Sequence, residues 1–282
     1  MVIAPPPGVN RAAEGNDEAA AIKENRRRAM NCCALPGLGA GIIAGLVLVL
    51  VGLPLIGAAA LVLLTVGISL GLWRMAPGAV LRAVGAEPSS EWERPRLHNL
   101  VEGLCATMGL PRPEICVVDS PVPNAMALGR DPRSSVLVVT SSLDQALTLV
   151  ELEGALAHEL VHIKRHDTVL AGVAVVVMFP WAMVRGPSRV TSTVHQLIGR
   201  GREFSADQRA AEVVRYPAGV GAALDAMVDG PPSAGVWPPG TGRIAALTRW
   251  LWIDPLVGGA HGETMEGNLD DTRVRAAALS LR

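Results

Sequence analysis

Aromatic residues are scarce in this 282-residue chain, at 3%, with one Tyr and two Phe. Charge is scarce as well: Asp, Glu, Lys and Arg make up 18%, and the net charge is −1. That balance excludes a chain that holds nucleic acid by global charge. Lys occurs only at positions 23 and 164, while Arg, Ala, Gly and Val abound, a bias that fits a GC-rich bacterial genome. The four cysteines, Cys32, Cys33, Cys105 and Cys116, form no CxxC pair and no regular spacing, so reduced thiols are expected rather than a disulfide framework. What the chain has in excess is apolar. Hydrophobic residues reach 50%, too many for an ordinary soluble domain, and this points to membrane spans.

Residues 1–33 are polar, with a Pro run at 5–7 and mixed charges, and are expected to be a disordered tail. The following apolar stretch begins too late and runs too long for a cleavable signal peptide. No charged residue occurs from Ala34 to Leu72. About 20 helical residues cross a bilayer core, so this stretch suits two spans, with a transmembrane helical hairpin over 34–73. Gly52-Leu53-Pro54 supplies the turn. Lys23, Arg26, Arg27 and Arg28 precede the first span, and Arg74 and Arg82 follow the second. The positive-inside rule then places both ends of the hairpin, and the domain over 74–282, in the cytoplasm.

Residues 91–109 read as an amphipathic helix ending at Gly109, and 115–118 and 135–140 as short strands. Thr148 and Glu151 form a capping-box pattern that starts a further helix, with no breaker until after Asp167. That helix carries His158-Glu159-Leu160-Val161-His162. Two histidines four residues apart project from one face, about 6 Å apart along the axis, and can share one Zn²⁺. Glu159 beside them suits a general base acting on a metal-bound water. A third ligand is needed. His166 lies about 12 Å of helix from His158, too far for one ion to bind all three histidines. Glu203, at the start of a second helical stretch, can complete a His₂Glu set, with Asp207 on the same face to accept a hydrogen bond from a ligand imidazole.

Three segments together resemble the HtpX-type and CAAX-prenyl-protease family of zinc metalloendopeptidases. They are Pro123 to Gly129 (PNAMALG), Glu151 to Asp167 (ELEGALAHELVHIKRHD) and Glu203 to Asp207 (EFSAD). The resemblance implies an α+β, mostly helical, gluzincin-like protease domain behind the hairpin. It implies one zinc per chain on His158, His162 and Glu203, with Glu159 as catalytic base. It also implies proteolysis of membrane or damaged proteins at the cytoplasmic face of a bacterial plasma membrane. Asn124, Ala125, Met126 and Ala127 would then line the cleft as a strand edge that pairs with substrate backbone. The chain departs from the family near its C-terminus, where Trp237 stands in place of the His of a His-Pro-Pro stretch. Arg243 follows and is the candidate for stabilising the oxyanion, with Arg275 and His261 as alternatives.

Residues 168–184 form another apolar stretch, 17 long and interrupted by Pro180. A single crossing there would put Glu203 on the wrong side of the bilayer from the histidines. This helix is therefore expected to dip into the membrane or pack on the hairpin. Two other readings of the whole chain are a catalytically impaired zinc- or peptide-binding scaffold and a sensor-type membrane metalloprotease. The partners expected are peptide substrates and the bilayer, with no nucleic acid; the sequence leaves oligomeric state open.

Overall fold

The computed structural model describes residues 11–199, 201–229, 237–240, 242–255 and 271–280. Two long helices begin the chain, α1 (Arg11–Leu50) and α2 (Pro54–Val84). Gly52 supplies the positive φ of 87° that the turn between them needs, and Pro54 fills the first helical position of α2. Gly37, Gly41 and Gly45 repeat at four-residue spacing and put one bare stripe of α1 against α2. A Cβ at Gly37 would lie 2.7 Å from the Thr65 carbonyl oxygen, and one at Gly41 2.7 Å from that of Leu61. Small residues at this spacing let two backbones touch, which is how helices associate where lipid removes the hydrophobic drive. The outward faces are apolar and bare, with Leu50 78% and Leu55 86% exposed. Among the described residues, three helical stretches are able by length and composition to cross a membrane: Ala19–Leu50, Pro54–Val84 and Asp167–Arg185.

The expected disordered tail over 1–33 is corrected by this structure. Residues 1–10 lie outside the described part, but the chain is helical from Arg11 straight into the first span. Past the proline run, residues 11–33 are mostly Ala, Arg, Glu, Asn and other residues a helix accepts. Tertiary contacts hold the segment as well: Ala29 is fully buried beside Val169 and Leu170, and the Arg28 guanidinium donates to the Leu197 carbonyl at 2.7 Å. The second hairpin helix also runs past residue 73, and its last turns bury Ala76, Val80 and Val84 before Gly85 ends it.

Four strands follow, β1 (Glu87–Pro88), β2 (Glu114–Val118), β3 (Ala125–Gly129) and β4 (Ser135–Thr140), in the sheet order β1-β2-β4-β3. The β2–β4 pair is parallel and the other two are antiparallel. Helix α3 (Pro95–Met108) starts at its proline, later than the expected 91, and stops at Gly109 with φ 67°. After the short α4 (Leu143–Ala146) comes α5 (Leu149–Lys164). Its capping box is formed: Thr148 N–H donates to Glu151 at 2.7 Å, and Glu151 N–H donates to Thr148 Oγ1 at 3.4 Å. Leu152, Leu156 and Leu160 of α5 share one core with Ala125 and Ala127 of β3.

The helix through Asp167 that the sequence suggested is in fact broken. His166 sits at φ 58°, a left-handed conformation that costs a non-glycine residue ~1 kcal/mol. The chain then re-enters a helix as α6 (Asp167–Arg185), with Pro180 inside it. Helix α6 packs against α1 and α2. It is buried from Asp167 to Val175 and again at Ala182, while Trp181, Met183 and Val184 near its end are exposed. Helix α7 (Pro187–Ile198) folds back on α6, and α8 (Arg202–Val214) returns to α5. The excursion thus delivers Glu203 beside the α5 histidines, as the topological argument requires. Helices α9 (Pro217–Val228), α10 (Gly242–Leu247) and α11 (Thr272–Ser280) complete the described part.

The glycine stripe generates a paired test. Gly41→Val should lower the thermal midpoint of the detergent-solubilised protein, because the added carbons meet the Leu61 carbonyl. Gly39→Val, where nothing lies within 4 Å, should leave it unchanged. Equal midpoints for the two variants would contradict the close backbone approach.

Candidate metal centre

Helix α5 presents His158 and His162 on one face, and α8 lays Glu203 across them. The two Nε2 atoms are 3.1 Å apart, and Glu203 Oε2 lies 3.1 Å from His158 Nε2 and 3.4 Å from His162 Nε2. Among the described residues this is the one His/Cys/Asp/Glu group that could hold a metal ion. Glu159, next in sequence to His158, is buried with them: exposures are 1% for His158, 2% for Glu159 and 4% for His162.

The far side of each ring meets a carboxylate. His162 Nδ1 lies 2.9 Å from Asp167 Oδ2, and His158 Nδ1 lies 2.7 Å from Asp207 Oδ1, the latter off the line of a well-formed hydrogen bond. Asp207 is in turn gripped by Arg275, whose Nε and Nη2 donate to its two oxygens at 2.7 and 2.9 Å. Glu203 has its own clamp. Arg202 donates to Oε1 through Nε at 2.9 Å and Nη2 at 2.5 Å, so Oε2 alone faces the histidines.

The sequence places His158, Glu159, His162, Glu203 and Asp207 together, and all five meet here. Asp167, Arg202 and the Arg275 anchor were not foreseen. Asp167 reaches His162 only because the chain kinks at His166, and no local pattern announces a left-handed histidine. Arg243, the expected oxyanion residue, does not join the group: its guanidinium is exposed and donates to the Met183 carbonyl at 2.7 Å. Arg275 comes nearer, with Nη2 3.8 Å from Glu203 Oε2, but it is committed to Asp207. His261 lies outside the described residues. Trp237 packs against Trp252, with ring centroids 5.0 Å apart. Asn124 is fully buried: its amide donates to the Asp254 carbonyl at 2.8 Å, and its oxygen accepts from the N–H groups of Ala125 and Asp254. Ile253 N–H donates to the Ala125 carbonyl, so the β3 edge expected to receive a peptide carries the chain's own residue 253 at that point.

The donor set fits a small divalent cation. A ring nitrogen against a carboxylate carries the proton, which leaves both Nε2 atoms as lone pairs. Two lone pairs and a carboxylate oxygen then converge with no proton between them, an arrangement that repels unless a cation fills it. Tetrahedral zinc with bonds of about 2.0–2.1 Å holds its ligand atoms about 3.3 Å apart. The distances here, 3.1, 3.1 and 3.4 Å, match that spacing. Without a metal, protons take up the strain. Burial lowers the His158 pKa, but Asp207 and Glu203 outweigh it and push it up to about 9. Burial also opposes the Glu203 carboxylate, yet the Arg202 charge and the two imidazoles hold it well below the usual range. For Glu159 burial dominates over the nearby imidazoles and raises its pKa.

The model of peptidase family M48 matches residues 91–251. A "Protease HtpX homolog" of Dictyoglomus thermophilum is 34% identical over 212 residues, 64% of this chain and 67% of that protein. Proteins of the same name from Salinibacter ruber and Tropheryma whipplei are 34% identical over 169 residues and 36% over 170. These cover 52% and 50% of this chain, and 61% and 58% of the relatives. The chain therefore spans about three fifths to two thirds of the length of these relatives. No solved structure matches it.

The raised His158 pKa has a measurable sign. The metal-free site holds its proton at pH values below about 9. Burial lowers the His162 pKa, but Glu203 and Asp167 outweigh it and raise it too, so metal binding near pH 7 must displace at least about one proton, and progressively fewer as pH rises past the His158 value. Calorimetry of zinc binding in buffers of different ionisation enthalpy should show that release, and a heat independent of buffer would contradict it.

Proposed function

The chain belongs to peptidase family M48, and from that membership and the geometry at α5 and α8 we propose a zinc-dependent endopeptidase anchored in a membrane. The observation that carries the proposal is the convergence of His158 Nε2, His162 Nε2 and Glu203 Oε2 within 3.1–3.4 Å of one another. Cations flank both ends of the hairpin and its turn carries none, which supports a cytoplasmic position for the catalytic domain. Its substrates are peptide bonds of membrane or damaged proteins.

Zinc bound at these three residues supplies Lewis acidity toward a peptide carbonyl and a water of lowered pKa. The rest falls to the chain's own side chains. Asp167 and Asp207 hold the Nδ1 sides of the rings, so both Nε2 lone pairs face the metal position. Arg202 occupies Glu203 Oε1 and keeps one carboxylate oxygen for the metal, which preserves room for water and substrate. Glu159 takes the proton from the attacking water and returns one to the leaving amine. Its raised pKa suits a group that must both accept and give a proton near neutrality.

Peptide binding along Ala125, Met126 and Ala127 requires residue 253 to leave the β3 edge, after which the freed carbonyl can pair with substrate backbone. Asn124 then acts as the clamp on residue 254 rather than as a reader of the scissile bond. An oxyanion role for Arg243 likewise requires it to give up Met183. The closed, buried arrangement and Trp237 favour a second reading, a zinc-binding scaffold without turnover.

Purified wild type and Glu159→Gln separate the two. The protease reading expects zinc in both, with cleavage of an unfolded protein lowered about 10³-fold in the variant. Zinc in both and cleavage in neither supports the scaffold. No zinc in either contradicts the site assignment.

A further inference from the structure

The metal centre has a contact that begins far from the residues matched by the family. Asn25 lies on α1, ahead of the charge-free run that begins at Ala34, and outside residues 91–251. Its side-chain Nδ2 donates to Asp167 Oδ1 at 2.5 Å and to the Arg165 carbonyl at 3.2 Å. Both partners are acceptors, so the amide must present its nitrogen to them. The other oxygen of Asp167 lies 2.9 Å from His162 Nδ1. Asn25 is thus one side chain removed from a proposed zinc ligand.

The two acceptors flank His166, the left-handed residue that turns α5 into α6. That kink is what folds Asp167 back under His162. One amide therefore ties both sides of a strained turn and satisfies the second oxygen of a buried carboxylate. Arg165 is fixed from the opposite side too, since its Nη1 donates at 2.6 Å to Ser205, between Glu203 and Asp207 on α8. Asn25 does not make this contact alone: Arg28 bonds the Leu197 carbonyl, and Ala29 is fully buried against α6.

We infer that the pre-membrane part of α1 is a component of the metal centre, with Asn25 as a positioning residue that acts through Asp167 on His162. The inference rests on the zinc reading above. It makes the helix entering the membrane and the ligand geometry parts of one assembly.

The test uses the full-length protein in detergent, with zinc affinity from chelator competition and the visible spectrum of the cobalt-substituted form. Asn25→Ala is helix-compatible and should fold. It should weaken zinc binding about tenfold and alter the cobalt bands, because partners behind a ligand histidine set its orientation and basicity. On an unfolded-protein substrate kcat should fall with KM unchanged. Arg27→Ala, an exposed position paired only with Glu24 among the described residues, should match wild type in all three readouts. An Asn25→Ala protein with wild-type zinc affinity and cobalt spectrum overturns the inference and leaves the zinc reading intact, even if its melting temperature falls. A wild type that binds neither metal overturns both.

Discussion

Three electron-rich atoms pointed at one another, buried from water, form an arrangement that only positive charge can make stable. His158 Nε2, His162 Nε2 and Glu203 Oε2 stand in that relation, and much of the surrounding structure is explained by it. Each ring must be held on its far side, so Asp207 and Asp167 are buried behind them. Each buried carboxylate needs its own partner, so Arg275 lies behind Asp207 and Asn25 behind Asp167. Glu203 needs a counter-charge that does not compete for the inward oxygen, and Arg202 supplies it from the outer one. Outward from the centre the groups alternate between electron-rich and electron-poor, and they are drawn from α1, α5, α6, α8 and α11.

That requirement links the site to the membrane. Helix α6 begins at Asp167, whose carboxylate meets His162, and runs alongside the hairpin. Helix α1 reaches past the hairpin to touch the same carboxylate. The glycine stripe that brings α1 and α2 into backbone contact therefore fixes more than a span: it fixes the helix that carries Asn25. The domain is not a soluble protease with an anchor appended. The helix that carries His158 and His162 is braced at its end by a helix long and apolar enough to cross a membrane.

Much of this was readable in the residues. The charge-free run from Ala34 to Leu72 with a Gly-Leu-Pro interruption gives the hairpin, and Thr148 with Glu151 gives the start of α5. The four-residue histidine spacing with Glu203 and Asp207 downstream gives the centre. These features are local or follow from helix periodicity. The parts that escaped depend on long-range contact. Residues 19–33 are rich in polar side chains, and their helix docks on α6 and α7 through Asn25, Arg28 and Ala29. Asp167 gains its role from a left-handed His166, a conformation that is uncommon for any residue but glycine. Asn124 belongs to a segment whose resemblance implies a substrate cleft, and only the folded chain shows that its amide closes β3 onto residue 254 across 130 positions of sequence. Arg243 was placed by its motif, but its guanidinium is taken by a carbonyl at the end of α6.

X-ray absorption at the zinc edge of the purified full-length protein tests the central claim most directly. The account predicts one zinc per chain, coordinated by two imidazole nitrogens and carboxylate or water oxygens near 2.0–2.1 Å with no sulfur. It also predicts that Glu203→Ala removes an oxygen ligand while both imidazoles remain. A spectrum with sulfur ligands, or one that Glu203→Ala leaves unchanged, would contradict it.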